Sequence, residues 1–120
     1  MKILIVDDSR AMRRIVQRTL RQAGFEGHDI VEAENGAQAL EQVHAENPDL
    51  ILCDWHMPEM NGIEFKTALN AEGNETPFGF VTSESTQEML DQAAEAGACF
   101  LLAKPFTPDD MAAALGAFVS

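Results

Sequence analysis

The chain has 120 residues, enough for one domain over positions 1–120 with a single real core, and a formal net charge of −12. That acidity argues against nucleic-acid binding, which needs a basic face, and no apolar run approaches the length needed to cross a bilayer. The amino terminus enters Lys2-Ile3-Leu4-Ile5-Val6 and then two acids, without the length or small-residue cleavage site of a secretory signal, so the expected location is the cytoplasm.

Lys2 to Val6, closed by Asp7-Asp8, has the pattern of a buried strand with acids at its carboxyl end. Ser9 is placed to cap a helix that runs through Ala23 and stops at Gly24, with Met12, Val16, Thr19, Leu20 and Ala23 inward. Arg10, Arg14, Arg18 and Arg21 form its outer stripe, either a solvated face or a docking face for an acidic partner. A weaker strand, His28 to Ala33, ends at Asn35-Gly36. A helix follows from about Ala37 to Glu46, with Ala39, Leu40 and Val43 inward, and Asn47-Pro48 stops it. Leu50-Ile51-Leu52-Cys53 is a fully apolar run that ends in Asp54, after which Pro58 and Asn61-Gly62 turn the chain.

A third helix covers Gly62 to Ala71, with Ile63, Phe65 and Leu69 apolar. Pro77 to Val81 is a fourth strand ending in Thr82-Ser83, and Gly79 inside it leaves a gap to be filled. The fourth helix, Thr86 to Ala96, carries Glu88, Asp91 and Glu95 after Glu84 and closes at Gly97. Ala98 to Ala103 is a fifth strand, followed by Lys104-Pro105. Thr107 caps and Pro108 opens a last helix that runs to the end of the chain. Its inward residues are Met111, Leu115 and Phe118, which leaves Ala112, Ala113, Gly116 and Val119 as a small-residue outer surface. Cys53 and Cys99 fall on strands separated by a third, too far apart for a disulfide, and both read as small buried apolar residues.

Strand and helix alternate five times, which is the signature of an α/β parallel sheet with helices on both faces and right-handed crossovers. Four of the strands end in a polar or charged group: Asp7-Asp8, Asp54, Thr82 and Lys104. In a doubly wound sheet of order 2-1-3-4-5 the first and third strands are neighbours at the switch point, which brings Asp7, Asp8 and Asp54 together. Two carboxylates about 5 Å apart repel by roughly 3 kcal/mol at an effective dielectric near 20. A divalent cation relieves such a cluster, and all-oxygen ligands suit Mg²⁺. Lys104 and Thr82 add an ammonium and a hydroxyl on the far side. Each residue alone has an ordinary reading as a cap, a surface charge or a strand end. Jointly, at one edge, they make a phosphoryl-binding pocket with Asp54 as nucleophile.

The stretches Ile3 to Arg14 (ILIVDDSRAMRR), Cys53 to Phe65 (CDWHMPEMNGIEF), Val81 to Glu84 (VTSE) and Ala103 to Thr107 (AKPFT) resemble the receiver domain of two-component response regulators, especially the CheY-like single-domain chemotaxis type. This family is itself a standard example of the flavodoxin-like (βα)₅ fold, so the order 2-1-3-4-5 is borrowed from the family; the residues of this chain do not dictate it by themselves. The resemblance implies that Asp54 accepts a phosphoryl group from the phosphohistidine of a sensor histidine kinase or phosphotransfer protein. It implies Mg²⁺, with Mn²⁺ as an alternative, on Asp8, Asp54 and the backbone carbonyl of His56, with Asp7 acting through water. Lys104 would pair with the phosphoryl oxygens, Thr82 would move in to hydrogen-bond them, and the Lys104-Pro105 bond would be cis. The only reactions catalysed would be the protein's own phosphorylation and dephosphorylation.

A downstream target would bind the face made by the fourth helix, the fifth strand and the fifth helix, on a monomer or weak dimer. His56 and Glu84 fall where the family varies the lifetime of the phosphoryl group. Ser83 stands where Ala or Gly is common and narrows access to Asp54. Leu101 stands where the family commonly has Tyr or Phe. Phe100, one residue earlier, belongs to the opposite face of the strand. The segment Phe25 to Ala33 is longer than is usual in the family.

The expected function is therefore a phosphorylation-switched signalling module. The alternatives within the family are a phosphorelay shuttle and an interaction module with weakened switching. A phosphatase resembling the haloacid dehalogenases would carry a second Asp two residues after the first, where this chain has His56. A flavin site would need a phosphate-cradling loop where Asp7-Asp8 would repel the phosphate.

Overall fold

Strand residues of one parity pack on one layer of helices and those of the other parity on a second layer, so the sheet lies between two cores. The computed structural model describes residues 1–118. Its elements are β1 (Lys2–Val6), α1 (Arg10–Gln22), β2 (Asp29–Ala33), α2 (Gly36–Glu46), β3 (Leu50–Cys53), α3 (Gly62–Ala71), β4 (Phe78–Thr82), α4 (Gln87–Glu95), β5 (Phe100–Ala103) and α5 (Pro108–Leu115). All strand pairs are parallel and the sheet order is β2-β1-β3-β4-β5. Leu4, Val6, Ile51, Cys53, Phe78 and Phe80 pack with residues of α2, α3 and α4. Ile3, Ile5, Leu50, Leu52, Val81 and Leu102 pack with residues of α1 and α5. Strands buried on both faces explain why β1 and β3 read as continuous apolar runs.

Helix starts are fixed by side-chain caps. Ser9, Asn35, Asn61, Thr86 and Thr107 each accept a backbone N–H from the first turn of the helix that follows. The pair Asn61-Gly62 therefore acts as a helix start as well as a turn. Asn61 forms a reciprocal capping box with Glu64, and Gly62 is the first helical residue. A Cβ at Gly62 would overlap the carbonyl oxygen of Asp54 and crowd the ring of Phe80, so only Gly lets α3 begin this close to the end of β3.

Gly79 has an equally specific reason. It pairs with Phe100 across β4 and β5, and a Cβ at Gly79 would overlap the Phe100 ring. The gap expected at this Gly is thus filled by its neighbour's aromatic ring. Phe100 packs with the α1–α5 layer and lies 6.2 Å from the ring of Phe118, whereas Leu101 packs with the opposite layer.

Two expectations are corrected and a third holds in part. Cys53 is buried, but Cys99 is exposed, because β5 begins at Phe100 and Cys99 precedes it. The last helix ends at Leu115 with Gly116 as its C-cap instead of running to the end of the chain. Of the expected small-residue surface, Ala113 and Gly116 are exposed, Ala112 is half-buried, and Val119 lies outside the described residues.

Candidate functional site

The β1–β3 pairing sets Val6 beside Cys53, so the acids that follow both strands emerge at the same point of the edge. Carboxylate oxygens of Asp7, Asp8 and Asp54 lie within 4.8 Å of one another. Asp7 is buried, Asp54 is half-buried and Asp8 is exposed. The Lys104 Nζ stands 3.1 Å from Asp7 Oδ2 and 3.6 Å from Asp54 Oδ2, so one ammonium serves two carboxylates. It reaches them from the end of β5, beside a cis Lys104-Pro105 bond. The remaining oxygens take backbone donors: Ser9 N–H donates to Asp7 Oδ1 at 2.9 Å and Trp55 N–H to Asp54 Oδ1 at 2.8 Å.

Burial holds the Asp54 carboxyl above the ordinary carboxylate range. Lys104 opposes this, Asp7 adds to it, the Trp55 N–H opposes it, and Asp8 adds a smaller push. The same surroundings act on the adjacent thiol: burial, then Asp54, then Asp7, push Cys53 up, so it is an inert neighbour. Three carboxylates, two of them sharing one ammonium, form a hard, all-oxygen donor set open to water through Asp8. Such a set fits a divalent cation.

The other residues expected at the site lie around this centre. Thr82 ends β4 fully buried, and its Oγ1 accepts the Glu84 N–H at 3.4 Å. His56 Nε2 and a Glu84 carboxylate oxygen face each other at 3.6 Å, both well exposed. Ser83 is exposed and lines a groove of about 350 Å³ with Met12, Ile15, Lys104, Pro105 and Phe106. Leu101 lies on the β5 face that also bears Ala103, away from Phe100. Trp55, directly after Asp54, is buried with its ring 4.7 Å from that of Phe80.

Two contributors escape the sequence reading. Arg13 is buried on the inward side of α1; its Nη1 donates to the Asp7 carbonyl at 2.6 Å and its Nε to Glu32 at 2.9 Å. A signal was present, since Arg13 is three residues from Val16 and seven from Leu20 on the same helix stripe. The second is the turn after Pro58. Glu59 has φ +66° and Met60 N–H donates to the Pro58 carbonyl at 2.7 Å, while the Met60 carbonyl accepts Gly36 N–H at 3.0 Å. The loop that carries His56 is thereby tied to the start of α2. Nothing in its composition announces that contact.

A family model described as the response regulator receiver domain matches residues 3–116. Chemotaxis protein CheY1 of Helicobacter pylori (strain J99) is 41% identical over 112 residues, covering 90% of this chain and 88% of that protein. Chemotaxis protein CheY of Pseudomonas aeruginosa is 41% identical over 109 residues, covering 89% and 86%. The structure of Vibrio cholerae chemotaxis protein CheY4 superposes with a TM-score of 0.86 at 32% identity, covering 98% of each chain. The receiver domain of Francisella response regulator 1452 does so with a TM-score of 0.81 at 26% identity, covering 98% and 94%. A parallel sheet that gathers acids and one lysine at its switch point, with sequence likeness along nearly the whole length, has one common source: the chain belongs to the response regulator receiver domain family, among its CheY-like members, and is a component of two-component signalling.

Proposed function

We propose that Asp54 is the phosphoryl acceptor of a phosphorylation-activated receiver, taking the group from a phosphohistidine on a sensor histidine kinase or phosphotransfer protein in the cytoplasm. The observation that carries this reading is the single Lys104 ammonium held between Asp7 and Asp54. A half-buried carboxylate beside an ammonium can gain a phosphoryl group without stranding charge, because the ammonium that pairs with the carboxylate would pair with a phosphoryl oxygen instead. In the transfer, the phosphorus–nitrogen bond of the donor breaks, an Asp54 oxygen bonds to phosphorus, and the imidazole leaves and takes a proton. Asp54 Oδ1 is oriented by the Trp55 N–H, and Thr82 supplies a hydroxyl at the neighbouring strand end.

Asp7, Asp8, Asp54 and the His56 carbonyl would hold Mg²⁺, or Mn²⁺, whose charge offsets that of the phosphoryl oxygens. The groove of Met12, Ile15, Pro105 and Phe106 opens beside Lys104 and would seat the apolar surface around the donor imidazole, with the exposed Arg14 and Arg18 on the same helix. His56, Ser83 and Glu84 line the approach of water to the acyl phosphate and would set its lifetime. A target protein would read the face of α4, β5 and α5, where a groove of about 530 Å³ runs beside Ala103, Asp110 and Ala113.

A second reading, an interaction module with weakened switching, is favoured by Leu101 alone, since an aliphatic side chain replaces the aromatic ring common in the family. The test of the first is intact mass after incubation with acetyl phosphate and Mg²⁺. Wild type gains one phosphoryl group and Asp54→Asn gains none. Label at wild-type level in Asp54→Asn would overturn the assignment.

A further inference from the structure

The three acids are not equally held. Asp7 and Asp54 each take a backbone N–H on one oxygen and face Lys104 with the other. Asp8 is exposed, and among the described residues its carboxylate makes no hydrogen bond or ion pair. Its placement must therefore come from the backbone. The Asp7 carbonyl, the Asp8 nitrogen and the Asp8 Cα lie in one rigid peptide plane. Fixing the direction of that carbonyl fixes the plane from which the Asp8 Cα emerges, and leaves only the Asp8 φ and its side-chain torsions to set where the carboxylate goes.

Arg13 does this. It is only 7% exposed and donates through Nη1 to the Asp7 carbonyl at 2.6 Å, a charge-assisted bond of the stronger kind. The other edge of its guanidinium is pinned, because Nε donates to Glu32 on β2 at 2.9 Å. Asp7 N–H in turn donates to the Ala33 carbonyl at 3.1 Å, so β2 holds both sides of Asp7. A guanidinium can serve a carbonyl and a carboxylate at once with fixed angles, whereas a lysine ammonium is a point charge on a flexible stem.

We propose that Arg13 is the positioning residue for the Asp8 carboxylate, and that β2, through Glu32 and Arg13, sets the affinity of the acid cluster for a divalent cation. The inference rests on the reading of Asp7, Asp8 and Asp54 as a cation site. It assigns to Arg13 a task that neither packing nor charge alone requires.

The test is Mg²⁺ binding by isothermal titration calorimetry on the full chain, well below each variant's melting midpoint. R13Q should bind about tenfold more weakly, the lower end of the loss seen when an outer partner of a metal ligand is removed. R13K, which keeps the charge and serves if R13Q does not fold, should show most of the same loss. E32Q should lose less, because Glu32 only steadies the guanidinium. A purely structural role would lower the melting midpoint and leave the affinity of the folded protein unchanged. Wild-type Mg²⁺ affinity in folded R13Q or R13K therefore overturns the inference. D8A separates the two levels: if it too binds as wild type, the cation-site reading falls. If D8A loses binding while the Arg13 variants keep it, only the role of Arg13 falls.

Discussion

At the β1–β3 end of the sheet edge, Asp7 and Asp54 are each tied on both oxygens, and a buried arginine steadies the peptide that carries Asp8. At the β4–β5 end, the Thr82 hydroxyl takes one long bond from Glu84, Ser83 to Gln87 are exposed, and Leu101 brings no polar atom. The first region holds its charged groups in place through paired contacts. The second is held by few polar contacts at its exposed end, yet its apolar side is filled, because Phe100 is wedged over Gly79. The contrast teaches that chemistry and read-out answer to different constraints. Carboxylates must be fixed to share a cation, while a switch needs two arrangements of similar energy.

The largest effect should come from disturbing the filled part of the β4–β5 region. Gly79→Ala places a Cβ inside the Phe100 ring, and overpacking of this kind should cost about 3 kcal/mol. Urea unfolding of Gly79→Ala, Phe100→Ala and the double variant measures it. The double variant should regain most of the loss caused by Gly79→Ala. If the two losses simply add, the ring is free to move aside and this part of the sheet is not locked.

A smaller effect of opposite sign is expected in the acid cluster. The folded-state pKa of Asp54 is raised, chiefly by burial, above its value in the unfolded chain. Between the two values the folded state binds the extra proton, so stability falls as pH rises through that window and the cost is full above it. Asp54→Asn removes the cost. It should melt higher than wild type at neutral pH, and the gain should vanish as pH falls below the ordinary carboxylate range. Thermal melts from acid to neutral pH, without divalent cations, check this. A gain that persists in acid would mean that Asp54 is not electrostatically strained.

The finest comparison concerns coupling between the two regions. With Leu101 in place of an aromatic ring, phosphorylation should change target affinity only modestly, and Leu101→Tyr should enlarge the change by about tenfold, or 1.4 kcal/mol. Binding of the target with and without phosphorylation, in both forms, measures it. A hundredfold gain already present in wild type would show that the switch runs without the ring.

The order of elements and the residues at each strand end were legible in the chain because both follow from local patterns. Apolar runs, caps and breakers are short-range signals, and they located β1, β3, α3 and the acids that follow the strands. The acid cluster was legible once a strand order was adopted, and that order came from the family resemblance. Arg13 was missed although its helix stripe was readable, because a charged residue among arginines is ordinarily assigned to water. Cys99 reads as buried from the sequence because the apolar run around it hides where β5 begins. Its exposure follows from a strand start that pairing with β4 decides.

The sequence by itself therefore determined alternation, capping and which polar residues end the strands, since these depend on neighbours within one or two turns of chain. The tertiary structure alone decided which groups meet around a shared ammonium. Lys104 stands 97 residues from Asp7 in the chain and 3.1 Å from it in space. Arg13 and Glu32 meet across 19 residues, and the Phe100 ring fills the space that Gly79 leaves. Such contacts form only when separate elements pack, and no periodicity along the chain encodes the distance between two side chains that meet across a sheet.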